Sequence, residues 1–405
     1  MSQHFIIVGA GQAGLQVADS LRKEGFEDRI TLFGDETTLP YQRPPLSKKY
    51  LEGSVNDDRL LIRPATFYEK NDVTVELGKH IDQIDRGRHE IVLDDGSRVH
   101  YDKLALTTGA RVRELPLPGA DDPRVMYLRS LKDSRRIRSA LEDAERVVVV
   151  GGGFIGLEFA AIARGLKKMV TVVEAQQRLM ERAVSEKISA YFQQLHESHG
   201  VDFALSAGVE TISCGSVVGV GLANGTTLEA DLVVVGIGVE PNLELADGAG
   251  LEVSGGIVVD EYVTTSDPDI VAAGDCTMHR NAALDVSHRL ESVQNAIGQA
   301  KIAASSMLGK RNAYREWPWF WSDQYDKKLQ MIGISRGFDQ HVLRGDPESG
   351  TFSVFYFKAG EFLAADSVSA PLDHMICRKL CASGVTLDPA QAADQDFDLK
   401  SLVQS

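Results

Sequence analysis

Two glycine triplets and two acids are the residues whose types and spacing could do chemistry. Gly9, Gly11 and Gly14 recur as Gly151, Gly153 and Gly156, every glycine shifted by 142 positions, and each triplet is followed by an apolar run that ends in an acid, Asp35 or Glu174. Glycines at this spacing let backbone approach a pyrophosphate lying on the positive end of a helix, and the later carboxylate takes the ribose hydroxyls. One such triplet is weak evidence, because tight turns need glycine anyway. Two copies in the same context predict two dinucleotide sites. Glu174 would repel a 2′-phosphate, so the second site is expected to prefer NADH over NADPH; the alternative is a solvated residue at a strand end.

The elements that must position these residues follow from the apolar patterning. His4 to Val8 reads as a strand, Ala13 to Lys23 as an amphipathic helix and Arg29 to Phe33 as a second strand; Arg146 to Val150, a helix through about Arg164 and Val170 to Val173 repeat the order. Asp95-Gly96 and Asn224-Gly225 each open a hairpin, a short strand and a buried parallel strand running into Gly109 or Gly238, at a spacing of 129. The first copy therefore carries 13 extra residues, and the proline-rich stretch Leu39 to Lys48, where no regular helix can run, is the candidate for them. A third buried strand, Ile270 to Ala273, ends at Gly274-Asp275, and a helix is expected from about Ser292 to Leu308. Asp275 suits the polyol chain of FAD, or else caps a strand. From Trp317 onward, Leu329 to Ile334, His341 to Arg344, Thr351 to Phe357 and Glu361 to Val368 alternate as an antiparallel sheet with a helix near His374 to Leu380. The expected fold class is α/β: two Rossmann-like dinucleotide-binding domains plus a C-terminal α+β domain, an arrangement that resembles the glutathione-reductase architecture.

Composition narrows the classes. The 405 residues carry 43 Lys and Arg against 58 Asp and Glu, a net charge of −15, which argues against a general nucleic-acid binder. No apolar run approaches the roughly 18 residues of a membrane span, and the first strand begins too early for a signal peptide, so a cytoplasmic protein without a membrane anchor is expected. The four cysteines form neither a C-x-x-C pair nor a zinc-like cluster, and none precedes Cys214. No metal site is expected. Cys377 and Cys381 have helical spacing and read as packing.

The segments Leu39 to Lys48 (LPYQRPPLSK), Gly151 to Glu158 (GGGFIGLE), Gly274-Asp275-Cys276 and Pro318 to Tyr325 (PWFWSDQY) carry a specific resemblance. They resemble the FAD-dependent, NADH-using ferredoxin reductases of bacterial oxygenase systems, of the putidaredoxin reductase type, and the likeness runs from the first strand to the C-terminal domain. Apoptosis-inducing factor shares the proline-rich loop. The resemblance implies a discontinuous FAD domain (1–113 and 241–316), an NADH domain (114–240) and a C-terminal domain (317–405). It assigns Gly9, Gly11, Gly14, Asp35, Arg43, Lys48, Arg129, Asp275 and Val293 to FAD, and Gly153, Ile155, Gly156, Glu174, Arg182 and Gly238 to NADH. Lys48 and Glu158 would meet beside the flavin, with a surface ion pair as the alternative, and Phe154, Ile155 and Glu158 would form the nicotinamide pocket. Arg182 has the alternative of a solvated helix residue.

Without a thiol route, electrons are expected to leave at the flavin edge. In the resembling reductases the second tryptophan of PWFW lies toward the docked iron-sulfur protein, which implies Trp321 as the exit residue and Lys301 as a docking cation; domain-interface packing is the alternative for at least two of Trp317, Trp319, Phe320 and Trp321. Lys310, Arg311, Arg315, Lys327 and Lys328 would add positive charge for steering an acidic two-iron two-sulfur ferredoxin. A monomer or weak homodimer is expected. The rivals are a rubredoxin reductase or other NADH dehydrogenase, and, outside enzymes, an NADH-responsive redox-sensing binding protein.

Overall fold

The computed structural model describes residues 2–281 and 286–403. Contacts divide the chain into two compact units. Unit 1 comprises Met1–Gln42, Asp57–Arg111 and Glu240–Trp319, and unit 2 comprises Arg43–Asn56, Val112–Val239 and Phe320–Ser405.

Unit 1 is built on a five-stranded parallel sheet in the order Ile270–Ala272, Lys103–Leu106, His4–Val8, Arg29–Gly34 and Val73–Leu77. Its central strand HFIIV is apolar on both faces, as a parallel strand covered on both sides must be. The helix Gln12–Lys23 buries Leu15, Val17, Ala18 and Leu21 and packs against the helix Val293–Met307, whose packed face is largely alanine and allows close approach. A three-stranded antiparallel sheet, Ile81–Asp85, Glu90–Leu93 and Arg98–His100, follows.

Unit 2 repeats the plan with the order Val201–Leu205, Met169–Glu174, Arg146–Val150, Leu232–Val235 and Val125–Tyr127, again parallel, and with its own three-stranded antiparallel sheet, Val209–Cys214, Val218–Leu222 and Thr227–Ala230. The two hairpin glycines, Gly96 and Gly225, share a left-handed backbone with φ of 80° and 83°. Unit 2 also holds the antiparallel sheet ordered Trp319–Gln324, Lys327–Gly333, Glu361–Val368, Thr351–Lys358 and Gln340–Asp346, with the helix Pro371–Ser383 packed on it. One apolar cluster joins Leu179, Ile188 and Phe192 of the nucleotide fold to Leu329, Phe352 and Val354 of this sheet. The fold is thus α/β, with two Rossmann-like parallel sheets and a C-terminal antiparallel sheet.

The proline-rich stretch forms a 3-10 turn over Pro44–Ser47 and a short helix over Lys49–Glu52, the chain turning at Lys48. Leu51 is buried with Ile137 and Leu141, and Ser134 Oγ donates to the Leu46 carbonyl at 2.9 Å, so Arg43–Asn56 is fixed within unit 2. Within the aromatic run, Trp319, Phe320 and Trp321 open the strand Trp319–Gln324. Alternation puts Phe320, Ser322 and Gln324 on one face and Trp319, Trp321 and Asp323 on the other.

Candidate functional site

Each glycine triplet divides into two glycines that the fold needs and one that it does not. Gly9 has φ of +112°, and a Cβ there would sit 2.2 Å from the Thr107 carbonyl oxygen; a Cβ on Gly14 would sit 2.0 Å from the Gly9 carbonyl oxygen. Gly151 has φ of +109° with a Cβ 2.5 Å from the Gly236 oxygen, and Gly156 would place one 2.1 Å from the Gly151 oxygen. These are requirements of strand-to-helix packing. The middle glycines differ: a Cβ on Gly11 or Gly153 would meet nothing within 4 Å, and both have ordinary negative φ. Each caps its helix without a side-chain hydrogen bond, whereas Ser130 and Ser292 cap theirs with hydroxyls. An open helix N-terminus with a space where a side chain would stand fits the pyrophosphate of a dinucleotide. Ile155, the second residue of the helix Phe154–Gly165, leaves 44% of its surface exposed, an apolar face free for an aromatic ring.

The acids are not equivalent. Val8 pairs with Phe33 and Val150 with Val173, so the position matching Glu174 is Gly34, and Asp35 lies one residue beyond it. Gly34 is tight, with the Ala10 Cβ 2.5 Å from where its own would be. The Asp35 side chain is 77% exposed, 3.6 Å from His80, and the next acid, Glu36, accepts from the Tyr41 hydroxyl at 2.6 Å. Glu174 instead spans its own loop: Oε2 accepts from the Gly152 N–H at 2.7 Å and Oε1 from the Gln176 N–H at 2.8 Å.

Asp275 follows Gly274 at the end of its strand, half-buried; a Cβ on Gly274 would lie 3.3 Å from the Ala13 Cβ, and the Gly274 N–H donates to Gln299 Oε1 at 2.8 Å. Val293 opens the adjoining helix. In unit 2, Arg43 Nη1 donates to the Arg129 carbonyl at 2.8 Å, which brings those two residues together. Gly238 has φ of +109° with open space around it. Arg182 is exposed in a turn ahead of the helix Glu186–Ser198, not on a helix, and lines a cavity of about 470 Å³ with Lys187, Arg336 and His341.

Lys48 and Glu158 meet. Nζ lies 2.7 Å from Glu158 Oε2, with side-chain exposures of 15% and 1%, which excludes a surface pair. Two residues that sequence reasoning missed complete the carboxylate's shell: Ser47 donates to Oε2 and Ser322 to Oε1, both at 2.6 Å. Both sit inside the quoted segments LPYQRPPLSK and PWFWSDQY, so the signal was present as hydroxyls flanking the named residues. Charge-assisted bonds at these lengths are strong, and a buried carboxylate needs them. Phe154, at the start of the same helix, packs its ring 4.8 Å from Phe320.

The cationic run is weaker than its formal charge. Lys310 pairs with Glu24 at 2.8 Å, Lys327 with Asp326 at 3.0 Å and Lys328 with Asp323 at 3.6 Å, while Arg311 lies over the Tyr262 ring. Lys301 is exposed on its helix, and Trp321 is half-buried, 6.4 Å from Phe320. Cys377 and Cys381 are buried; burial pushes the Cys377 thiol well up and that of Cys381 up to about 12, so neither is a reactive thiolate. Among the described residues, no group of three or more His, Cys, Asp or Glu could hold a metal, and no helix is long and apolar enough to cross a membrane.

Residues 3–300 match the family model of pyridine nucleotide-disulphide oxidoreductases, and residues 319–403 match the reductase C-terminal model. The chain is 48% identical over 398 residues to rhodocoxin reductase of Rhodococcus erythropolis, covering 98% of this chain and 93% of that protein. It is similar to the ferredoxin reductase for the CYP199A2 system of Rhodopseudomonas palustris, with a TM-score of 0.97, 44% identity and 99% of each chain covered. It is also similar to the reductase in the covalent putidaredoxin reductase–putidaredoxin complex, with a TM-score of 0.96, 38% identity and coverage of 99% of this chain and 98% of that one. With two cradles for dinucleotides, a buried lysine–glutamate pair and full-length likeness to these reductases, the chain belongs to the pyridine nucleotide-disulphide oxidoreductase family, in its ferredoxin-reductase branch.

Proposed function

We propose that this chain takes hydride from NADH onto FAD and passes single electrons to a two-iron two-sulfur ferredoxin that feeds a cytochrome P450 or Rieske-type oxygenase. The observation that carries the proposal is the pair of middle glycines, Gly11 and Gly153, each open where the fold has no use for the missing side chain. When bound, FAD supplies the change from two-electron to one-electron chemistry. The residues supply position and electrostatics.

Unit 1 cradles FAD through Gly9, Gly11, Gly14 and Val293, with Asp35 toward the ribose and Asp275 toward the polyol chain; Arg43, Lys48 and Arg129 serve the same cofactor. The segment 114–240 takes NADH on Gly153 and Gly156, with Glu174 and Arg182 toward the adenosine end and Gly238 lining the site. Ile155 and Phe154 present an apolar wall to the nicotinamide, excluding water. Lys48 and Glu158 hold a cation and a carboxylate in fixed places in a dry setting, where preorganised charge acts more strongly than in water. Trp321 is the exit side chain and Lys301 the docking cation for the ferredoxin. The reductase acts in the cytoplasm, as a monomer or weak homodimer. The rubredoxin alternative is less favoured, given the full-length likeness to reductases of ferredoxin-dependent oxygenase systems.

Replacing Trp321 by Ala tests the exit. Bleaching of the flavin by NADH is expected to stay within about twofold of wild type while ferredoxin reduction slows about tenfold or more. Equal loss of both rates removes Trp321 from the exit. A preparation that binds no flavin on reconstitution overturns the whole reading.

A further inference from the structure

Ser322 and Gln324 share one face of the strand Trp319–Gln324 and are fully buried, yet neither serves a dinucleotide site. They belong to a hydrogen-bonded row that begins at the lysine–glutamate pair. Ser322 Oγ donates to Glu158 Oε1 at 2.6 Å, and Gln324 Nε2 donates to Ser322 Oγ at 3.2 Å. His196 Nε2 lies 2.9 Å from Gln324 Oε1, and the Tyr325 hydroxyl lies 3.3 Å from His196 Nδ1. Ser322, Gln324 and His196 expose none of their surface.

The direction of the row follows link by link. Glu158, paired with Lys48, only accepts, so Ser322 gives it the one proton it has and must itself accept from the next group. Gln324 therefore turns its nitrogen to Ser322 and its oxygen to His196. The imidazole must then donate through Nε2–H, and its Nδ1 lone pair receives the Tyr325 hydroxyl. Every donor points toward Glu158. A primary amide in the middle cannot hand on a proton without becoming an imidic acid, so the row transmits orientation rather than protons.

The outer end is held in place. Burial lowers the His196 ring to about 4, leaving a neutral imidazole with a single N–H at neutral pH. Tyr325 adopts φ of 54°, uncommon for a bulky residue, and its ring stacks on His199 with centroids 3.8 Å apart. Such conformations persist where the surroundings over-determine them.

We propose that His196 is a positioning residue for the lysine–glutamate pair: its Nε2–H fixes the Gln324 amide so that Ser322 donates to Glu158 Oε1 and leaves Oε2 to Lys48 and Ser47. The proposal rests on the reading of Lys48 and Glu158 as the pair beside the redox cofactor. Without the imidazole N–H, the amide is free to turn over, Ser322 then donates to the amide oxygen, and Glu158 loses one of its three side-chain donors.

The test uses the holoenzyme. His196→Leu removes the donor and His196→Gln keeps a side-chain N–H. The infrared carboxylate band of Glu158, identified by its loss in Glu158→Gln, is expected to shift in His196→Leu and to return toward wild type in His196→Gln. The rate of FAD reduction by NADH is expected to fall about tenfold in the first variant and recover in the second. A band unmoved in His196→Leu overturns the proposal, as does a shifted band with an unchanged rate when Glu158→Gln itself slows FAD reduction. Should His196→Leu fail to fold, Ser322→Ala must shift the band, and the imidazole ¹⁵N spectrum of the unmodified protein must show the neutral Nε2–H tautomer; an unmoved band, an Nδ1–H tautomer or a protonated ring at neutral pH overturns it. A band that moves as expected while Glu158→Gln reduces FAD at the wild-type rate supports the row and removes the role given to the pair.

Discussion

The two nucleotide folds use one backbone device and two different endings. In both, the outer glycines are dictated by protein contacts closer than 2.6 Å to a hypothetical Cβ, and the middle glycine is left open. The strands then diverge at one register position, Gly34 against Glu174. In unit 1 that position is packed against Ala10 and the acids are displaced outward to Asp35 and Glu36. In unit 2 the acid ties down the Gly152 N–H of its own loop. The outer glycines recur because sterics allow few alternatives, whereas the strand ends obey different local constraints, close packing at Gly34 and loop anchoring at Glu174, and in the proposed function that is where two ligands are told apart.

The sharpest way to break this comparison is at the glycines themselves. Gly156→Ala drives a methyl to 2.1 Å from the Gly151 carbonyl oxygen, a backbone atom that cannot yield. Loss of folded unit 2 is expected, at a cost of about 3 kcal/mol or more, read by denaturant unfolding. Gly153→Ala, three residues earlier, is expected to leave the unfolding midpoint within about 0.5 kcal/mol of wild type while raising the KM for NADH about tenfold. Equal destabilisation by the two substitutions would show that the middle glycine is structural and that the open cradle carries no ligand.

Sequence made this frame legible because glycine, strand and helix occur in fixed order, and a repeat at constant spacing leaves little freedom in topology. The Lys48–Glu158 contact was accessible only through resemblance, since 110 residues separate the partners and no local pattern joins them. Ser47, Ser322, Gln324 and His196 were invisible as a group for the same reason: three are small or amide side chains whose role depends on what they face. Equivalence of Asp35 and Glu174 was misleading. Both acids follow a strand, but the pairing register matches Glu174 to Gly34 and leaves Asp35 one position beyond it. Sequence adjacency also does not reveal the acidic neighbours of the cationic run, such as Glu24 beside Lys310.

Unit 2 has a buried ion pair fed by serines, and breaking it measures how strongly that unit depends on its functional core. Lys48→Met leaves the Glu158 carboxylate without its cation, and a loss of about 4 kcal/mol is expected in the unfolding of unit 2, partly offset by the two serine donors. Glu158→Gln retains hydrogen bonds and should cost less. A smaller, pH-dependent effect comes from Asp366, fully buried against the Tyr356 hydroxyl, which also reaches Ser185 in the nucleotide fold. Burial raises its carboxyl from 3.8 to about 7, with the tyrosine bond acting in the opposite direction. The folded state then holds a proton that the unfolded chain has released, so this stabilisation is complete below the unfolded value and is lost as pH rises toward 7. Wild type is expected to lose about 2 kcal/mol between pH 5 and pH 7 relative to Asp366→Asn. Coincident melting of the nucleotide fold and the C-terminal sheet would show unit 2 to be one cooperative piece; separate transitions would divide it.

The smallest effect bears on the strand ends where the comparison began. The Glu174 oxygens hold Gly152 and Gln176, and in the proposed NADH site its charge has a second duty, disfavouring a 2′-phosphate. Glu174→Gln keeps an acceptor oxygen for one of those amides and drops the charge, so its effect on coenzyme choice isolates the electrostatic duty. Glu174→Ala removes both. A gain of about tenfold in NADPH over NADH is expected for each variant, with the KM for both coenzymes rising only in Glu174→Ala, as the loop loses its anchor. If Glu174→Gln leaves the coenzyme preference where it was, the charge is not the discriminator, and the difference between Gly34 and Glu174 then concerns loop anchoring rather than ligand choice.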